Sequence, residues 1–202
     1  MDKMMTASVK YKIHPWFRQG HLGSLLALFL LIFASPALGS IPDPSGRMFS
    51  GEIRLVVDAT DTQRKIVQVE QWVPVKPGRI TMLYPRFIPG MHSPQGPLDR
   101  LAGLVVQGNG RPIAWMRDTD EMHAFHIDVP RGVSELNIRF QYLSPVGPPD
   151  GPPILTSDIM TMAWHPLLLY PAGHGMRHIM VRAEVRLPQG FKHATSLLEE
   201  GG

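Results

Sequence analysis

The stretch Ile179-Met180-Val181-Arg182-Ala183-Glu184-Val185-Arg186-Leu187 decides the fold class of this chain. Its odd-numbered positions are all apolar, while the even-numbered ones carry Met180, Arg182, Glu184 and Arg186. Successive side chains of an extended backbone point to opposite faces, so a period of two marks a strand with one buried side. The same pattern recurs upstream. Ile53, Leu55 and Val57 share one face, with Glu52, Arg54 and Asp58 on the other. Runs at 66–73, 80–84, 101–106, 122–129 and 135–143 read as further strands.

Turn chemistry links these runs. Thr60-Asp61-Thr62 sends the first strand back, and Gly108-Asn109-Gly110 separates 101–106 from a run leaving through Trp115. Asn-Gly readily takes the positive φ angles of a tight hairpin, which makes this the strongest local hairpin signal. Helical periodicity is weak after residue 39, and 18 of the 20 prolines lie there. Proline removes a donor and clashes with the preceding helical turn. Two Pro/Gly-rich stretches, 88–97 and 144–153, read as surface loops, where binding residues tend to sit. About seven short strands predict an all-β fold, an antiparallel β-sandwich or strongly curved, saddle-like sheets.

The chain opens with a different grammar. Lys3, Lys10, Lys12 and Arg18 precede an apolar run at 25–34, and Ala37-Leu38-Gly39 follows. That order is a helical secretory signal peptide with small residues at the cleavage site. The run is half the roughly twenty residues a membrane span needs. Cleavage between Gly39 and Ser40 is expected, which places the product in the periplasm or outside the cell. Membrane contact would come only through an uncleaved leader. Residues 1–39 are thus a leader, 40–50 a linker and 51–202 one β domain.

Charge and cysteine content exclude several functions. Of 20 Lys+Arg and 17 Asp+Glu, the leader holds the four cations above and Asp2, leaving 16 against 16 in the mature part. No basic run tracks phosphates, so no nucleic-acid partner is expected. Cysteine is absent, so the fold rests on its hydrophobic core and thiol chemistry is ruled out.

Catalytic patterns are missing as well. None of the histidines after residue 39 is followed by Glu, so no His-Glu-x-x-His zinc helix exists. His123 and His126 lie at odd spacing within a strand, which sends them to opposite faces. His174 and His178 have helical metal-pair spacing but flank Gly175 just before a strand. His165, between Trp164 and Pro166, suggests a packed loop corner. There is no Gly-x-Ser-x-Gly elbow, and Ser93 and its neighbour His92 point apart on an extended chain. Asp118, Asp120 and Glu121 fall in a strand connection and read as solvated.

One segment is more distinctive than composition explains: Tyr84-Pro85-Arg86-Phe87-Ile88-Pro89-Gly90-Met91-His92-Ser93-Pro94-Gln95-Gly96-Pro97-Leu98-Asp99-Arg100. With Ala124-Phe125-His126-Ile127-Asp128-Val129-Pro130, Arg139-Phe140-Gln141-Tyr142-Leu143-Ser144-Pro145 and Leu169-Tyr170-Pro171-Ala172-Gly173, it resembles the N-terminal region of the glycyl aminopeptidase family (peptidase family M-sixty-one). These are secreted bacterial zinc metallopeptidases that often carry a PDZ domain. The resemblance runs from about residue 51 to the end. It implies an N-terminal β domain partnered, in cis or trans, by catalytic and PDZ domains. The family's zinc ligands and general base lie in the catalytic domain, so the resemblance implies no catalytic residue, no metal ligand and no cofactor here. It implies instead a supporting role, in which the loop at 89–96 walls the amino-terminal end of a peptide substrate. Within it, Pro89 and Gly90 would hold His92 and Gln95 at the interface.

The chain stops soon after a Leu-Pro-Gln-Gly-Phe turn at 187–191, and we expect a truncated gene product or fragment, inactive alone. The alternative is a free-standing periplasmic β-sandwich that binds peptide or protein, with a sheet edge as its docking site.

Overall fold

Alternation in the sequence becomes alternation in burial. Along Ile66–Pro74, Val67, Val69, Gln71 and Val73 are buried while the residues between them are not. The computed structural model describes residues 40–88, 96–146 and 154–199. All belong to the second of two units into which the chain divides, Ser40–Gly202. The leader and Gly39 lie outside the described residues; Ser40 is the first described and is exposed.

The strands are β1 (Glu52–Asp58), β2 (Ile66–Pro74), β3 (Gly78–Leu83), β4 (Leu101–Gly108), β5 (Arg111–Pro112), β6 (Trp115–Arg117), β7 (Ala124–Val129), β8 (Glu135–Leu143), β9 (Ile154–Leu155), β10 (Met160–Thr161), β11 (Tyr170–Pro171) and β12 (Met180–Arg186). Short 3₁₀ turns occupy Leu98–Arg100, His165–Leu167 and Met176–His178. One sheet has the order β12-β1-β2-β8-β4-β5, a second the order β11-β3-β7-β6, and β9 and β10 form a small ribbon. The all-β expectation holds.

Register builds the core in rows. Val57 faces Val69, which faces Phe140; Leu55 faces Gln71, which faces Ile138. From the second sheet, Met82 and its cross-strand neighbour Phe125 join the same apolar cluster as Tyr84, Tyr142 and the 167–169 segment. Gln71 is the polar member of this row. Its amide donates to the Leu169 carbonyl at 2.8 Å and accepts from the Leu169 amide at 2.9 Å. Two hydrogen bonds offset the cost of burying the amide, and they tie β2 to the approach to β11.

Local turn chemistry behaves as expected at Asn109 (φ 51°) and Gly110 (φ 74°), whose positive angles join β4 to β5. The run beyond it splits: β5 stays in the larger sheet, and the chain crosses at Ile113-Ala114 to enter the smaller one as β6. Within β4 the register slips between Ala102 and Val105, around Gly103 at φ 62°. That is a bulge, which bends the strand.

Two features differ from the sequence reading. β12 runs parallel to β1, not antiparallel. The whole domain intervenes between these strands, so no hairpin dictates their direction. Its apolar face is also only partly covered: Ile179 is buried, Ala183 and Val185 are half-buried, and Val181 is 37% exposed. Ahead of β1, the Ser45 amide and hydroxyl donate to the Gly173 carbonyl, and the Phe49 amide donates to that of His178.

Candidate functional site

β3 ends where Pro85 follows Tyr84, since proline cannot donate to a ladder. Beyond it the chain leaves the sheet through Arg86 and Phe87, and Gly96 lies back against Arg86. The amide of Gly96 donates to the Arg86 carbonyl at 3.0 Å, closing the base of the loop. A Cβ on residue 96 would lie 1.8 Å from the Pro85 carbonyl oxygen, so only glycine fits. The Leu98 amide then donates to the Gly96 carbonyl at 2.8 Å, leading into the Leu98–Arg100 turn.

The β6–β7 connection buttresses this base. Asp118 Oδ1 accepts from the amides of Asp120 and Glu121 at 2.9 and 2.8 Å, the side-chain-to-backbone geometry that aspartate favours in turns. The turn aims Glu121 at Arg86, and the two form an ion pair. Arg86 also lies over the Phe87 ring, 5.3 Å from its centroid. His123 stacks on Tyr84 with centroids 6.4 Å apart, and its Nε2 lies 3.4 Å from the Gly96 carbonyl. Tyr84 in turn donates from its hydroxyl to the Pro166 carbonyl at 3.0 Å. Loop base, β6–β7 turn and 165–167 segment are therefore one assembly at one end of the smaller sheet.

Behind the turn lies a buried polar relay. Asp118 Oδ2 is 2.8 Å from His126 Nε2, and His126 Nδ1 is 2.9 Å from Thr81 Oγ1. An ionised carboxylate only accepts, so Nε2 carries a proton. Two turn amides, Glu121 foremost, and His126 hold the Asp118 carboxyl down at about 2. Burial raises Tyr84 above the usual phenol range. Burial, then the Glu121 charge, raises Tyr170, and burial lowers His165.

The sequence-named positions fare unequally. Pro89, Gly90, His92 and Gln95, with Ser93, lie outside the described residues. His165 sits in a packed corner, as expected, with Pro166 and Leu167 buried beside it. Asp118 corrects the sequence reading: it is buried, not solvated, because the β6–β7 pairing brings His126 against it. His123 and His126 have separate partners, and His174 Nδ1 donates to the Arg47 carbonyl at 3.1 Å. Among the described residues no three His, Asp or Glu side chains gather to hold a metal ion, so a zinc ion has no fitting donor set there. Arg86, Glu121 and His123 carry the loop base; the sequence reading gives Arg86 no role, takes Glu121 as solvated and takes His123 as a lone strand histidine. Their one sequence signal is Asp118, spaced two and three residues before the amides it accepts. Nothing in the assembly pairs a nucleophile with a base in the open; it can position a loop.

Comparison with known proteins bears on this. The family model described as Peptidase M61 N-terminal domain matches residues 54–202. No curated protein matches by sequence. Among solved structures, an aminopeptidase N family protein from Idiomarina loihiensis shares the fold, with 12% identity and a TM-score of 0.52 over 68% of this chain. An M1 zinc metallopeptidase from Deinococcus radiodurans, bound to a Tyr-Ser-Ala substrate, is 15% identical with a TM-score of 0.34 over 73% of this chain. The chain spans 22% of the first of those structures and 33% of the second. With the matched residues covering both sheets and the loop base, the chain belongs to the Peptidase M61 N-terminal domain family.

Proposed function

We propose that this chain is the N-terminal domain of a secreted or periplasmic zinc aminopeptidase of the glycyl aminopeptidase type. It supports the catalytic domain, with a PDZ domain as further partner, in cis or trans. Its loop walls the amino-terminal end of the peptide, and zinc belongs to the partner and not to this chain. The observation that carries the reading is the loop base. Gly96 closes it by steric necessity, and Arg86–Glu121 and His123 brace it from the β6–β7 turn. A loop fixed at its base can present an edge to substrate at low entropic cost.

The test is kinetic. With the catalytic domain present, Glu121→Ala should raise KM for glycyl and alanyl p-nitroanilides several-fold while kcat holds, because it loosens a binding wall and no reacting group. Unchanged KM would contradict the role. Export is checked separately: N-terminal sequencing of the exported protein should read Ser40-Ile41-Pro42, and a mature form retaining 25–34 would refute cleavage.

A further inference from the structure

β12 is an edge strand, and among the described residues no strand pairs with its outer side. The bonds it makes reveal where its backbone points. The Arg186 carbonyl accepts from the amide of Ala59, just past the end of β1. In an extended strand the amide and carbonyl of one residue point the same way, and neighbours alternate. Arg182 and Glu184 therefore turn theirs toward β1, while Val181, Ala183 and Val185 turn theirs outward. These outward groups form a ready ladder.

Other edges of the two sheets are blunted. β5 is two residues long and contains Pro112, β11 contains Pro171, and β6 has three residues. Prolines and short strands are standard ways to prevent edge pairing. β12 has seven residues, no proline and no bulge. Its side chains are self-complementary about Ala183, the middle of Met180–Arg186. In an antiparallel pair of two such strands, Ala183 faces itself and Val181 faces Val185 of the second copy. Arg182 faces Glu184 of the second copy, and Glu184 faces the second Arg182. Both side chains are exposed, at 61% and 63%; Arg182 already contacts Glu52 and Glu184 already contacts Arg186. Val181, partly exposed on the opposite face, would be covered. Moving the axis to Glu184 would set Glu against Glu and Arg182 against Arg186, so charge disfavours that register. An axis at Val185 would set Glu184 against Arg186 but Ala183 against Leu187, which cross-linking at position 183 distinguishes.

We propose that β12 is a self-association edge. Two copies of the chain pair antiparallel about Ala183, joining their larger sheets across a two-fold axis. Every outward amide and carbonyl of Val181, Ala183 and Val185 then finds a partner, and opposite charges meet twice. This surface is separate from the loop base and does not rest on the peptidase reading.

The chain contains no cysteine, which makes cross-linking clean. In the full chain under oxidising conditions, Ala183→Cys should form a disulfide-linked dimer. Facing residues of a hydrogen-bonded antiparallel pair have Cα atoms about 5.5 Å apart, within disulfide reach. Val181→Cys should not cross-link, since its own copy would lie about 14 Å away, four residues along the strand. By sedimentation, Glu184→Arg should weaken association about tenfold or more, because the symmetry counts each repulsion twice. The double variant Arg182→Glu/Glu184→Arg should restore it. A chain monomeric at every concentration overturns the proposal. So does a dimer indifferent to Glu184→Arg, or equal cross-linking at positions 181 and 183.

Discussion

Gly96 and Asp118 are the residues on which the loop base turns, and each does something no other side chain would do there. A Cβ at 96 meets a carbonyl that belongs to the backbone and cannot swing aside. Gly96→Ala should therefore destabilise the domain by about 1–3 kcal/mol, the usual range for overpacking, read as a shift in urea midpoint. Asp118 yields a pH prediction. A carboxyl held below its ordinary 3.8 stabilises the fold fully above that value and loses the contribution as pH falls toward about 2. The wild-type chain should thus lose stability between pH 4 and 2. Asp118→Asn should be weaker at pH 7 and flatter across that window, checked by denaturation at pH 7, 4 and 2. An equal slope in both proteins would contradict the assignment. Asp118 also shows where sequence stops being legible. Its turn role is local and could be read from its spacing to Glu121, but its burial depends on His126 across a strand pair, which no spacing reveals.

At the scale of elements, the readable parts were those governed by local rules. Alternation identified the faces of β1, β2 and β8, and Asn109-Gly110 identified a hairpin, because each depends only on neighbours in the chain. Direction is not local. The pattern of β12 shows which side is apolar, but a parallel partner 128 positions upstream, as Glu52 is to Met180, leaves no mark in that pattern. Gln71 is a similar case. It breaks the apolar row of β2 visibly, yet its partner Leu169 lies 98 residues away. Gln71→Leu would fill the space and strand both backbone groups of Leu169. The expected cost is about 2 kcal/mol or more, since each buried unpaired group costs about 1–3 kcal/mol. Urea unfolding of this variant measures it, and a neutral result would mean that Leu169 finds other partners.

At the scale of the molecule, two sheets share one core, and a braced loop base stands at one end of the smaller sheet. The fold class was legible because strands and turns repeat along most of the chain. The site was less so: its named residues fall in a loop whose sequence is distinctive, while its support comes from Arg86, Glu121 and His123, which look ordinary in sequence. The central claim is that this domain assists peptidase chemistry without performing it. The most direct measurement is turnover of glycyl and alanyl p-nitroanilides by this chain alone, by the catalytic domain alone, and by the two together. The account predicts no turnover above blank by this chain and a several-fold gain in kcat/KM when it joins the catalytic domain. Turnover by this chain alone, or a catalytic domain equally active without it, would contradict the account.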